Sequence, residues 1–125
     1  MYYLFVIKDS YFKENSDFLY KLLYEIKYMK KENYNYGISL YYNICNLFKV
    51  KVLKNYIKNK FNLKTKNNIF YLDNENYFEL KNVCCIINAN KYLRQIFMIF
   101  YIYNKNIFVC NFSKDEYFWL KDKFN

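Results

Sequence analysis

Residue types able to do chemistry are few in this 125-residue chain, which has four cysteines, eleven carboxylate side chains and no histidine. Histidine is the side chain whose ordinary pKa suits proton transfer near neutral pH, so Ser–His and Cys–His nucleophile pairs are excluded. A Walker loop or a dinucleotide-binding fingerprint needs several glycines, and the chain has only Gly37. We therefore expect no enzyme, no cofactor and no small-molecule substrate.

The four cysteines do not have the spacing of a metal site, since no C-x-x-C pair occurs. The adjacent Cys84 and Cys85 would point to opposite faces of a strand, which disfavours a closed tetrahedral zinc site. No secretory signal precedes them, because the apolar segment Met1–Ile7 has no basic lead-in. We predict a cytoplasmic protein. Its cysteines are expected to be reduced core residues: Cys45, Cys84, Cys85 and Cys110.

One acidic pattern has a catalytic precedent. Asp73 followed by Glu79-x-Lys81 resembles the Asp…Glu-x-Lys signature of restriction-type nucleases, in which two carboxylates hold Mg²⁺ and a lysine assists the water. The same residues also suit ordinary structure, because Asp73 falls in a predicted turn while Glu79 and Lys81 alternate along a strand. A magnesium-dependent nuclease is therefore a remote alternative.

The distribution of positive charge is the strongest pattern in the sequence. Between Glu32 and Asp73 there is no acidic residue, but there are seven lysines, which account for seven of the nine net charges. Clustered lysines create a field that attracts polyanions, so this segment is predicted to bind phosphate groups or an acidic protein surface. The predicted binding residues are Lys49, Lys51, Lys54, Tyr56, Lys58, Lys60, Lys64 and Lys66.

Helical spacing would place three of these lysines, Lys51, Lys54 and Lys58, in one stripe. The stripe runs beside apolar residues of the same helix, Val50, Leu53, Ile57 and Phe61. Aromatic residues in or near the segment could stack on unpaired bases: Tyr56, Phe61, Phe70 and Tyr71. The alternative is a solvated helix face in a lysine-rich proteome. No membrane partner is expected, because the apolar side must cover a sheet and the most apolar uncharged run, Gln95–Asn104, is too short for a span.

The elements that must position this surface begin with a strand at Tyr2–Ile7 and a helix from an N-cap at Ser16 to about Lys31. The predicted buried face of that helix consists of Phe18, Leu22, Leu23, Ile26 and Met29. Ile38–Leu63 also has helical spacing, although Lys49–Leu53 alternates well enough to be a strand.

The second half has the pattern of hairpins. Ile69–Leu72 and Tyr77–Leu80 flank one predicted turn, and Ile96–Tyr103 and Ile107–Phe112 flank another. Val83–Ile87 is a further candidate strand. Ser113 and Glu116 have capping-box spacing, which predicts a closing helix with Tyr117, Phe118, Leu120 and Phe124. The predicted fold is α+β, with an antiparallel sheet of about four to six strands and helices packed on one face. Without proline or a linker, we expect one domain over residues 1–125.

Lys, Asn, Tyr, Phe and Ile supply 80 of the 125 residues, which is the set encoded by A/T-rich codons. In length, in this composition and in lacking catalytic signatures, the chain resembles phage or mobile-element anti-CRISPR proteins from A/T-rich bacteria. The resemblance implies an inhibitor of a larger effector, an RNA-guided RNase being one candidate target. It also implies that the protein acts in the host cytoplasm if a phage encodes it. It involves no motif, so no functional residue is carried over.

The charge distinguishes between modes of inhibition, because a protein that imitates nucleic acid should be acidic and this one has a net charge of +9. The expected partner is therefore a larger protein effector, or a ribonucleoprotein, contacted through the lysines. The alternative is a small RNA-binding or ribosome-associated protein, which would bind RNA unaided and lose it steeply with salt.

Overall fold

The apolar segment Tyr2–Ile7 forms a central strand, β1, in the computed structural model, which describes residues 1–11 and 15–124. The other strands are β2 (Cys45–Asn46), β3 (Lys64–Lys66), β4 (Ile69–Tyr71), β5 (Tyr77–Leu80), β6 (Cys85–Asn88), β7 (Ile107–Asn111) and β8 (Glu116–Trp119). They form an antiparallel sheet with the strand order β3-β4-β5-β6-β1-β7-β8, and β2 pairs with the end of β1.

Four α-helices pack on this sheet: α1 (Ser16–Lys27), α2 (Tyr34–Ile44), α3 (Val50–Lys60) and α4 (Leu93–Tyr103). Short 3₁₀ turns lie at Asp9–Tyr11, Lys31–Asn33 and Leu120–Lys123. The predicted α+β class is confirmed. No helix in the described ranges is long and apolar enough to cross a membrane.

The helices lie on both faces of the sheet, which corrects the prediction of one covered face. Leu4 and Val6 of β1 join a core with α3 and α4, whereas Phe5 and Ile7 join a second core with α1 and α2. All five residues of β7 are buried. Strands covered on both sides are continuously apolar and show no alternation. The sheet also has eight strands, more than the four to six expected, since β2 and β3 are too short to give a pattern.

Two predicted elements have a different structure. The segment Ile96–Tyr103 belongs to helix α4, because a short apolar run has the same appearance in a buried helix and in a buried strand. The closing helix predicted after Ser113 is also wrong. Glu116–Trp119 pairs with β7 as strand β8, and only one 3₁₀ turn follows it. Tertiary pairing overrides the local capping signal there.

Helix α1 begins at the predicted place, but its cap is Asn15, whose side chain accepts a hydrogen bond from the Asp17 N–H at 2.8 Å. It ends at Lys27, and it buries Leu19 rather than Phe18, which is half exposed. The helical segment predicted from residue 38 to residue 63 is divided into α2 and α3, because β2 pairs with β1 between them. The first predicted hairpin is confirmed as β4 and β5.

Candidate lysine-rich binding surface

Helix α3 carries most of the predicted binding residues and is fixed to the sheet by Leu53 and Ile57, both fully buried. Lys51 and Lys58 are exposed on one flank, with the half-buried Lys54 between them. The Lys54 ammonium donates a hydrogen bond to the Asn68 side chain at 3.4 Å. The three lysines therefore occupy the stripe that helical spacing predicts, on a helix whose orientation is set by the core.

Two further lysines lie at the ends of this helix. The backbone N–H of Lys49, just before α3, donates to the Tyr103 hydroxyl at 3.1 Å, and Lys60 is the last residue of the helix. A helix dipole favours cations at its C-terminus and disfavours them at its N-terminus. Lys58 and Lys60 therefore stabilise α3, whereas Lys49 and Lys51 gain nothing from their positions in the helix.

The remaining two lysines lie on the other side of the sheet. Lys64 and Lys66 of β3 are directly opposite Tyr71 and Ile69 of β4, while the intervening Thr65 is opposite Phe70. Phe70 is buried in the core beneath α3, and residues directly opposite each other share a face. The predicted single basic face is therefore divided in two: the α3 lysines on one side and the β3 lysines on the other.

The β3 lysines border a half of the sheet, here named the open sheet face, whose apolar side chains belong to neither core in the part of the chain that the structure describes. It carries Lys64, Lys66, Ile69, Tyr71, Tyr77, Glu79 and Asn88 on β3 to β6. The rings of Tyr71 and Tyr77 are 5.5 Å apart between centroids and tilted by 46°. The Asn88 side chain donates to the Tyr77 hydroxyl at 2.8 Å, which fixes that ring. Tyr77 was missed from sequence, where it was assigned only to a strand.

Of the aromatic residues predicted to stack on bases, only Tyr71 lies on the open sheet face. Phe70 is fully buried and stacks on Phe78 at 5.3 Å. Tyr56 and Phe61 contact each other edge to face at 6.2 Å and pack against the core. Base stacking by Phe70 is therefore excluded in the folded chain, and Tyr56 is a partly buried support of α3.

The electrostatics of the surface are those of unpaired cations. The segment from residue 33 to residue 72 contributes no carboxylate. In the part of the chain that the structure describes, none of its seven lysines has a carboxylate within ion-pair distance. Unpaired ammonium groups are free to bind an external anion without first breaking an internal ion pair.

The acidic residues of the nuclease pattern lie apart. The Asp73 carboxylate accepts hydrogen bonds from the backbone N–H groups of Glu75 and Asn76, each at 2.8 Å, and from the Asn76 side chain. The bond from the Asn76 side chain is the main cause that lowers the pKa of Asp73. Glu79 is three residues beyond this loop, about 10 Å along the strand, whereas Mg²⁺ ligands lie at about 2.1 Å. In the described ranges, no three potential metal ligands come together.

The cysteines are free and buried, as predicted. Burial raises the pKa of Cys84 to about 11 and that of Cys45 to about 12, and it also raises the pKa values of Cys85 and Cys110. A thiolate is the reactive form of cysteine, so these environments suppress nucleophilic chemistry.

Chemically, the two lysine groups offer different sites. On α3 they offer positive charge on a fixed helix, and on the open sheet face they offer charge beside paired tyrosine rings. Lysine binds phosphate or carboxylate as a point charge, while tyrosine rings can stack on bases. No protein-family model matches this chain, and no curated protein matches its sequence.

Proposed function

We propose that this chain is a non-catalytic binding protein that inhibits a larger nucleic-acid-processing effector, and that it docks through the lysines of α3. One observation carries the proposal: Lys51 and Lys58 project from a helix anchored by buried residues, and neither has a carboxylate partner in the described ranges. A cation held on a fixed element loses less freedom on binding than one on a mobile loop.

The spacing of the exposed lysines defines what they would contact. Seven residues at about 1.5 Å each place Lys51 and Lys58 about 10 Å apart along the helix. The complementary surface carries anions at that separation, either carboxylates of an acidic protein patch or phosphates of a nucleic acid that the effector holds. The net charge of +9 supports contact with such a surface rather than imitation of nucleic acid.

A second candidate function is direct binding of single-stranded RNA on the open sheet face. It is favoured by the pair Tyr71 and Tyr77, which lies beside Lys64 on the open sheet face. Single strands are bound by aromatic rings that stack on bases and by cations that follow the backbone. In this case the α3 lysines would be a solvated helix face.

The division of the lysines gives two matched variants, each of which changes the net charge by the same amount. K51E/K58E alters α3 and leaves Lys54, which bonds Asn68, unchanged; K64E/K66E alters β3. The tagged chain is incubated with lysate of an A/T-rich bacterium carrying an RNA-guided RNase, with and without RNase treatment, and retention of the effector is measured. Cleavage of target RNA is measured separately, with effector that has not been treated with RNase.

We expect the native chain and K64E/K66E to retain the effector and slow its cleavage, and K51E/K58E to lose both. Retention by K51E/K58E at the native level, or failure of the native chain to retain the effector from untreated lysate, would overturn the proposal. The second candidate predicts the opposite dependence in a direct measurement. A labelled 20-nucleotide U-rich RNA would bind the native chain and K51E/K58E, with a salt slope of about −0.7 per phosphate, and K64E/K66E would not bind it.

A further inference from the structure

A groove lies between α1 and α2 on the face of the sheet opposite α3, with a volume of about 360 Å³. Its floor includes Tyr3 and Phe5 of β1, and its walls are mainly apolar side chains. Binding sites for small molecules have volumes of about 300–1,000 Å³ and are lined by apolar and aromatic groups with a few polar ones. The groove has the dimensions and lining of such a site, and it has no part in the docking proposed for α3.

The single glycine of the chain lies in the wall of the groove. Gly37 is buried inside α2, and a Cβ atom there would lie 2.6 Å from the Met29 sulfur, which also lines the groove. Glycine inside a helix is less favourable than alanine by about 0.5–1 kcal/mol. Glycine occurs in α2 despite this lower helix propensity because the helix approaches Met29 closely at this position.

The rim of the groove leaves apolar surface in water. Tyr34, Ile38 and Tyr42 follow one another at four-residue intervals along α2, and each remains roughly half exposed. Val83, on the opposite side, is also exposed. An apolar patch that surrounds a concave site is typical of a surface covered by a ligand.

One charge borders this apolar site. The Lys27 ammonium lies 4.4 Å from the centre of the Tyr3 ring and 5.9 Å from that of Phe112. In the described ranges it forms no ion pair. The aromatic rings hold the Lys27 ammonium at the groove by cation–π contacts. A ligand that suits both the ammonium and the apolar walls has an anionic group attached to an apolar body.

We propose that the groove between α1 and α2 binds a small amphipathic carboxylate, with its aromatic or aliphatic body against Tyr3 and Met29 and its carboxylate on Lys27. The molecule is a ligand and undergoes no reaction. The Tyr41 hydroxyl already donates to the Val83 carbonyl, and the Cys84 thiol at the groove is buried. This ligand site is separate from the docking surface on α3, and its existence does not depend on the proposed inhibition.

The three methionines provide a test within the full chain. Met29 lines the groove, whereas Met1 and Met98 do not. Methyl-¹³C-methionine protein is titrated with 4-phenylbutyrate and, separately, with the uncharged 4-phenylbutanol, while methyl signals are followed by NMR. The Met29 signal is assigned with M29L. K27Q tests the ammonium, and K21Q, on the same helix but outside the groove, is the matched control.

We expect 4-phenylbutyrate to shift the Met29 signal saturably while the Met1 and Met98 signals remain unchanged. K27Q should weaken its binding about fivefold, the upper end of the range for an exposed ion pair, whereas K21Q should not. The preference for the acid over the alcohol should disappear in K27Q. No saturable Met29 shift, equal shifts of all three signals, or an unchanged preference in K27Q would each overturn the proposal.

Discussion

Asn76 is a buried polar side chain, 2% exposed, that connects two parts of the chain. Its amide nitrogen donates to both Asp73 carboxylate oxygens, at 2.9 and 3.0 Å. Its oxygen accepts the backbone N–H groups of Asn90 and Lys91, at 3.0 and 3.1 Å. The loop between β4 and β5 is thereby joined to the segment that leads into α4. A single amide thus fixes a hairpin that neighbours the open sheet face.

We expect Asn76→Ala to lower the free energy of unfolding by about 2 kcal/mol, because two backbone donors near a buried site lose their acceptor. Urea denaturation followed by circular dichroism measures this loss. Asn74→Ala, at an exposed position of the same loop, is the control and should change stability by no more than about 0.5 kcal/mol. Equal effects of the two substitutions would show that the Asn76 bonds do not stabilise the fold.

At the scale of elements, α2 contains no charged residue, although most of its positions are exposed. It buries Gly37, Tyr41 and Ile44, while tyrosines occupy much of its outer surface. Met29 follows the end of α1, and its sulfur lies 2.6 Å from the position that a Cβ atom of residue 37 would occupy. This pair therefore limits how closely the segment after α1 and helix α2 can approach each other at the groove.

A double-mutant cycle tests that dependence. In an M29A background, Gly37→Ala should stabilise the protein by about 0.5–1 kcal/mol, because helix propensity then acts without a clash. In the native background the gain should be smaller by at least about 0.5 kcal/mol, since the Met29 side chain must move. Urea midpoints at a constant m-value provide the measurement. An identical gain in both backgrounds would mean that Met29 does not restrict residue 37.

At the scale of the whole molecule, one sheet separates two cores, and the four cysteines are divided between them. Cys85 lies in the core with α3 and α4, whereas Cys45, Cys84 and Cys110 lie in the core with α1 and α2. Cys84 differs from the others because it also lines the groove. The rate at which a thiol reagent modifies Cys84 therefore reports on access through the groove. The rates for the other three thiols report on global unfolding.

We expect three thiols of the native chain to react with a disulfide reagent only as fast as the protein unfolds, and Cys84 to react first. Even Cys84 should react slowly at pH 8, because burial raises its pKa to about 11. All four thiols should react at ordinary rates in 6 M guanidinium, which serves as the control. Rapid reaction of two or more thiols in the native protein would contradict this burial.

Some features follow from the sequence alone because their causes are local. The strand at Tyr2–Ile7, the hairpin of β4 and β5 and the start of α1 are set by apolar runs, turn residues and a capping site. The stripe of Lys51, Lys54 and Lys58 follows from helical spacing once Leu53 and Ile57 are buried. The concentration of charge between residues 33 and 72 is likewise a property of the sequence itself.

Other features were decided only by the tertiary structure. The run Ile96–Tyr103 became a helix because it packs on the sheet, and Glu116–Trp119 became a strand because β7 offered it a partner. Sequence also placed all seven lysines on one basic segment, since proximity along the chain carries no information about faces. The pairing of β3 with β4 decides that Lys64 lies beside Tyr71, on the side opposite α3. Strand register, a non-local property, therefore divides one cluster of charge into two surfaces.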